Sequence, residues 1–577
     1  MRAAVGRALA IGGAVVFVVC GRGARAQDLP FPVRCDGQIV RDVRVRTNPP
    51  ALGDISRRSQ TAARILLAMH ATTNPEVVRR LVIQPVGRPC RELLRAESER
   101  ILRAQPFLAE ASVTAYGVEG GDVVLEVVTV DELSVVLDVQ PTLGTPYVRR
   151  LRLGNANLAG EAVGLVAGWR HAGGPYRDEY GMSLVDYQLG GRPYELMLDA
   201  KRRPLGGEWT TLAAHPFLTD IQRIAWRGAT GARKEYVPLL RRNVDVPSRL
   251  VSRTFSDVGG IVRIGEPGRL SLFGASFTRE YGHVEDVYRR VTKSGVFGDS
   301  AAAPLYPTYR SARANVLWGV RNIRFVRVTG FDALAATQDV RVGFQLGTLA
   351  GRSLAVLGSD NDDIFLSADL YGGIGNASTL LALQLQGEGR QDYDAPGTAW
   401  DGILGSGRLG FYTRMTVRQT LVASGEWSGG WRSRLPFQVT LADAVGGVRG
   451  YGRSRVGGGQ RAVLRLEDRW YLGRVRRLAD LGVAPFVDNG RLWKGDAPFG
   501  ENTSIKTGVG VSFLAAVPPR SKRLFRLEIA YPVTPEPHAR LELRVLATDL
   551  TRHFWQDPGD VRRSRESTVP ASIFNWP

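Results

Sequence analysis

Gly446-Gly447-Val448-Arg449-Gly450-Tyr451 is followed by a second glycine run, Gly457-Gly458-Gly459, and behind that run the chain alternates. Ala462, Leu464, Leu466, Trp470 and Leu472 share one parity, interrupted only by Asp468. Arg461, Arg465, Glu467, Arg469 and Tyr471 share the other, with Val463 the apolar exception. A period of two is that of a β-strand, and here it gives one apolar and one charged face.

The pattern recurs downstream. Ile505, Thr507, Val509, Val511 and Phe513 oppose Lys506, Gly508, Gly510 and Ser512. Phe525, Leu527, Ile529 and Tyr531 oppose Arg526, Glu528 and Ala530. Ala539, Leu541, Leu543 and Val545 oppose Arg540, Glu542 and Arg544. Two architectures produce such strands. A soluble sandwich turns the apolar face to a core, and an outer-membrane barrel turns it to lipid with water in the lumen. The alternation leaves both open.

Val448-Arg449-Gly450-Tyr451 resembles the sixth-surface-loop signature of the POTRA-plus-β-barrel superfamily, the bacterial surface antigen family that includes BamA, TamA and the two-partner-secretion transporters. Phe486-Val487-Asp488-Asn489-Gly490 is similar to the Phe-x-Asp-x-Gly signature carried by the family's next strand. Two signatures in order, on adjacent alternating strands, are far more specific than either alone. The resemblance implies an all-β transmembrane antiparallel barrel of about sixteen strands with one N-terminal periplasmic α+β POTRA-like domain. It also implies that the loop folds into the lumen, where Arg449 meets Asp488 on the inner wall. Phe486 and Gly490 share the Asp488 face, Gly450 permits a tight backbone, and Tyr451 packs the tip against the wall. Glu467, inward by parity, is the second-choice partner of Arg449.

The chain has 577 residues, a formal net charge of +20 and a pI near 10.3, long enough for several domains. A basic excess can mark a nucleic-acid partner. Here the arginines punctuate strands and turns instead of forming one block, and solvation of a lumen or contact with anionic lipopolysaccharide accounts for them better. Residues 1–26 read as a secretory signal: Arg2 and Arg7, a short apolar run over 9–19, and Ala24-Arg25-Ala26 before Gln27. Val19 stands where a lipid-attachment motif at Cys20 needs a small residue. No later stretch is long and apolar enough for a spanning helix, so membrane residence of the mature chain requires a barrel.

Residues 27–133 form a separate unit. A strand is expected over 38–46 and an additional helix over 54–69. A further helix starts at Thr73-Asn74-Pro75-Glu76, either by a Thr73–Glu76 capping box or with Asn74 as cap and Pro75 in the first turn. Another helix over 91–104 and strands over 107–116 and 122–130, joined at Gly120-Gly121, complete it. The order strand, helix, helix, strand, strand resembles a POTRA domain, and any small periplasmic α+β domain also fits the composition. A POTRA-like sheet offers an edge strand to unfolded clients. Cys35 and Cys90 are the only cysteines after the signal. An oxidising compartment lets them pair, and in a POTRA-like fold their positions lie on the same side; two buried free thiols are the alternative.

The barrel is assigned to 134–548, with strand boundaries over 231–309 left open. Counting outward from the surface loop places the tail, 549–577, in the periplasm. That departs from the family, whose chains end on an aromatic at the last strand; Phe554 and Trp555 stand near that position, with further residues behind them.

Sequence motifs for catalysis are missing: there is no Gly-x-Ser-x-Gly elbow and no Walker loop. The six histidines lack metal-ligand spacing. Asp360, Asp362 and Asp363 suit a solvated turn better than a calcium loop. The chain is therefore read as a non-enzyme without cofactor. Three functions fit. The first is a machine that inserts or exports β-rich clients without nucleotide, with accessory lipoproteins as further partners. The second is a dedicated pore for one secreted partner, and the third a passive channel or structural surface antigen. A permanently open lumen favours the third.

Overall fold

In the computed structural model the alternating stretches are neighbouring strands of one closed antiparallel barrel. The structure describes residues 31–50, 70–141, 148–171, 178–241, 247–292, 295–299, 305–393, 400–475, 478–549 and 556–566. The signal segment, the helix expected over 54–69 and the end of the tail lie outside them.

Parity decides which solvent each face meets. Leu464 and Leu472 are more than 60% exposed, and Val316, Trp318 and Phe273 also face outward. Arg461, Glu467, Arg313 and Arg390, on the opposite parity of their strands, are buried inside. A soluble sandwich buries its apolar face, so this inverted arrangement selects the barrel. Val463, the exception in its strand, points inward and packs with Val448 and Leu441 of the loop.

Among the described residues the wall has about twenty strands, against the expected sixteen. The surplus lies early in the chain. Six short strands, Val135–Pro141, Val148–Asn155, Val163–His171, Asp178–Asp186, Glu195–Arg203 and Gly206–His215, fill the stretch that precedes the open region. The open region resolves into Ile224–Pro238, Pro247–Glu266 and Arg269–Val284, followed by a small hairpin that extends the loop before Tyr309–Thr329. The last strand, Glu542–Asp549, closes on the first, Val135–Pro141.

The N-terminal unit comprises β1 (Pro32–Val33), β2 (Asp36–Asn48), α1 (Pro75–Arg79), β3 (Pro89–Arg91), α2 (Glu92–Arg103), β4 (Leu108–Gly117) and β5 (Val123–Asp131). Sheet order is β1-β4-β5-β2-β3, with β2 parallel to β5. Helix and sheet share a core that includes Val43, Val78, Leu102 and Leu125. Of the two readings for the start of α1, the structure adopts the Asn74 cap: its side chain accepts the Glu76 N–H at 3.0 Å, with Pro75 in the first turn. Thr73 instead gives its N–H and hydroxyl to Asp131, at 2.7 and 2.8 Å. Cys35 and Cys90 form a disulfide across 55 residues. Because β5 lies between β4 and β2, the strand over 122–130 offers no free edge. Among the described residues the outer edges belong to β4, covered by β1 only at Ala115 and Tyr116, and to β2, which β3 meets only near Asp36 and Ile39.

This domain sits against one mouth of the barrel. Arg103 grips Asp339 with two bonds of 2.8 and 3.0 Å, and Arg327 reaches Glu99 at 2.6 Å. Asn157 donates to Thr73 at 2.8 Å, Gln188 donates to the Val77 carbonyl at 2.9 Å, and the Glu132 carboxylate accepts the Ser521 hydroxyl at 2.7 Å. These wall turns come from early, middle and late strands, so the contact runs around much of the rim.

The tail is not free below the barrel. Residues 556–566, including α3 (Gly559–Ser564), lie inside the lumen, which corrects the expected placement for that part of 549–577. Asp560 pairs with Arg461, and Glu566 with Arg313.

Candidate functional site

The loop between Gln419–Trp431 and Gln460–Val475 turns back into the barrel. Its backbone needs glycine at two kinds of position. Gly450 has φ of +94°, a left-handed conformation that side chains resist. Gly490 and Gly508 of the wall leave room for the loop. A Cβ on Gly490 would come within 2.3 Å of Val448 Cγ2, and one on Gly508 within 2.0 Å of the Arg449 carbonyl oxygen. The wall thus has a glycine trough, and the loop backbone lies in it.

Arg449 sits at the centre. Its Nε and Nη2 donate to the two oxygens of Asp488, both at 2.7 Å, a two-pronged guanidinium–carboxylate pair. The Arg449 backbone N–H adds a contact of 3.2 Å to the same carboxylate. Nη1 reaches Glu528 at 3.2 Å and Glu467 at 3.4 Å. The guanidinium also lies 3.4 Å from the centre of the Phe486 ring, against its face. Asp488 is fully buried and Arg449 is 5% exposed.

The carboxylates are shared. Glu467 also pairs with Arg469, at 2.5 Å, and with Arg526; Glu528 faces Arg526 at 3.5 Å and Arg544 at 3.6 Å. Three acids and four guanidinium groups alternate, so removing a single member leaves the charges it faced incompletely paired away from bulk water.

Beyond Arg449 the loop is pinned three more times. The buried Tyr451 hydroxyl donates to the Thr534 carbonyl at 2.7 Å, with the Thr507 carbonyl at 3.0 Å. Glu542 accepts the N–H groups of Gly450 and Gly452 at 2.9 and 3.2 Å. Arg465 holds the carbonyl of Gly447 at 2.7 Å.

The structure brings together Arg449, Gly450, Tyr451, Phe486, Asp488, Gly490 and Glu467. Sequence reasoning did not single out Glu528, Arg526, Arg469, Glu542 or Gly508. Strand parity had placed all five on inward faces, but it carries no information on which strand pairs with which across the lumen. Asp360, Asp362 and Asp363 have protein partners: the Arg310 N–H, Arg352, and Arg390 with Ser353. Among the described residues no group of histidine, cysteine and carboxylate side chains is arranged to hold a metal. The site's chemistry is charge pairing and positioning.

No family model and no curated protein matches the chain. Among solved structures it is similar to BamA from Haemophilus ducreyi lacking POTRA domains 1–3, at 11% identity and a TM-score of 0.39, covering 89% of this chain and 84% of that one. It is also similar to CdiB from Escherichia coli, at 10% identity and a TM-score of 0.38, covering 89% and 77%. A third is CdiB from Acinetobacter baumannii, at 8% identity and a TM-score of 0.40, covering 88% and 73%. Scores of this size add no weight to any functional reading, which rests on the residues themselves.

Proposed function

We propose that this chain is an outer-membrane barrel that inserts or exports β-rich client proteins, without nucleotide and without bond-making chemistry of its own. The observation that carries the reading is the loop carrying Arg449, folded into the lumen and locked on Asp488 by a buried two-pronged pair. A passive pore gains nothing from burying a seven-member charge network to hold a loop in its own path, so the lock speaks for a gated machine. A rim-docked α+β domain with outer edges on β2 and β4 is a suitable receiver for extended client segments. The first and last wall strands have seven and eight residues, against 21 for the longest, which supports a seam that parts sideways. In this reading lipid and lipopolysaccharide surround the wall, the α+β domain is periplasmic, and accessory lipoproteins bind there.

The test is depletion in the native host, followed by comparison of the outer-membrane proteome, with complementation by wild type or by Arg449→Ala. Loss of other barrel proteins or of one exported protein, restored by wild type alone, supports the proposal and separates insertion from dedicated secretion. An unchanged proteome and secretome overturns it.

A further inference from the structure

The tail occupies a site of its own. Arg313 and Arg327 lie on the same strand, and Arg327 touches the α+β domain through Glu99. Fourteen residues separate them, about 45 Å along an extended strand. Glu566, bound to Arg313 at 2.9 Å, therefore lies toward the opposite end of the barrel from the domain. The last wall strand ends, by its direction, on the domain side, whereas Glu566 stands far from that side within the lumen.

The described tail crosses the lumen. Near one side, the Arg233 and Arg253 side chains donate to the carbonyls of Arg563 and Arg565, at 3.3 and 3.0 Å. Near the other, Arg461 pairs with Asp560 at 2.6 and 3.1 Å; the two sides are almost half-way round the wall from each other. Between them, Asp557 accepts the Ser406 hydroxyl at 2.6 Å, Arg565 meets Glu388 at 3.4 Å, and Glu566 binds Arg390 as well as Arg313. Val561 is fully buried among Leu441, Val448 and Tyr451 of the loop, and the Thr440 N–H donates to Asp560 at 3.1 Å. Among the described residues, Glu566 supplies the only carboxylate paired with Arg313, and Asp560 the only one paired with Arg461. Both arginines are almost wholly buried. With the tail removed, each loses the one carboxylate that pairs with it here, and another carboxylate entering the lumen can take that place.

We infer that Arg313 and Arg390 form a carboxylate-binding site in the lumen, and that residues 556–566 fill it in cis as a displaceable plug. The ligand class is a peptide segment bearing acidic side chains, for which Glu566 is the built-in stand-in. The plug and the loop share one apolar core, so release of either loosens the other. The inference concerns the lumen itself and holds whether the client is inserted or exported.

Planar bilayer conductance tests it. The full chain is compared with a chain ending at Trp555, with Glu566→Lys, and with a Ser406→Cys/Asp557→Cys pair that locks the tail to the wall. Heat-shift on detergent gels verifies that each barrel is folded. The truncated and Glu566→Lys proteins should conduct several-fold more than the full chain. The oxidised lock should stay closed and recover wild-type behaviour on reduction. A synthetic peptide of residues 556–566 should block the truncated channel, and the same peptide with glutamine for Glu566 should block it many-fold less well. Should truncation prevent folding, Glu566→Lys and the lock still decide. Conductance equal to the full chain in folded Glu566→Lys overturns the plug, and equal block by the two peptides overturns the carboxylate site.

Discussion

Arg449→Ala is the substitution whose effect can be worked furthest. It removes both 2.7 Å bonds to Asp488, and only the 3.2 Å backbone N–H contact remains for that fully buried carboxylate. Breaking a buried ion pair from one side costs about 3–5 kcal/mol, because the survivor stays desolvated and unpaired. At 1.4 kcal/mol per decade the loop should leave its pocket roughly a hundred to several thousand times more often. Glu467 and Glu528 soften this little, since Arg469, Arg526 and Arg544 already neutralise them. The assay is maleimide labelling of a cysteine at Ser454, which is buried in the docked loop; Cys35 and Cys90 are joined and do not react. The labelling rate follows the open fraction when docking is fast. Arg449→Ala and Asp488→Ala should each raise the rate by about two to three and a half decades, Arg449→Lys by less, and the double alanine variant by clearly less than the product of the two. A rise below about threefold in folded Arg449→Ala, or a strictly multiplicative double variant, would refute the reasoning.

Three further outcomes follow from other parts of the molecule. Gly508→Ala places a Cβ 2.0 Å from the Arg449 carbonyl oxygen, so it should undock the loop about as far as Arg449→Ala while the barrel still shifts on heated gels; wild-type labelling of the Ser454 cysteine would contradict the trough. Burial alone pushes the Glu99 carboxyl up, but Arg103, Arg95 and Arg327 outweigh it and hold it below its ordinary value of 4.5. A depressed folded value means that its contribution is present above 4.5 and is lost as pH falls through the folded value. Spin-label distances between β4 and the wall should therefore be narrow at neutral pH and broaden in acid below 4.5, while Glu99→Gln should be equally broad at both; a Glu99→Gln distribution as narrow as wild type at neutral pH opposes this. Non-reducing mass analysis should find the Cys35–Cys90 link, and Cys35→Ser/Cys90→Ser should destabilise the α+β domain by about 4 kcal/mol in the chain-entropy model; two alkylatable thiols in the native protein would count against it.

The strands around the site were legible because one face meets an apolar surround and the other a charged interior. Leu464 against Glu467 is a contrast that a two-residue period exposes. The Arg449–Asp488 pair was legible only through the resemblance, because nothing local to either residue names the other. The early hairpins were hard to read for a different reason. Strands of seven to ten residues give few alternations, and pairs such as Gly259-Gly260 inside Pro247–Glu266 erase the contrast where a long strand should be clearest. The tail had no period at all. Its position comes from pairs such as Arg313–Glu566, 253 residues apart, and a charge in a short polar segment looks the same in water as in a lumen.

The order of the loop's partners along the chain fixes a sequence of events in biogenesis. Glu467, Asp488, Glu528 and Glu542 all follow Arg449, and they lie on four different strands that end with the last one of the wall. The tip cannot seat until the newest segment has been built in, so seating is a completion signal, written in charge, that a half-made cylinder cannot give. Pulse labelling of the Ser454 cysteine during assembly should therefore show protection arriving last, after the heat-resistant band; protection that precedes incorporation of the final strand would rule this order out.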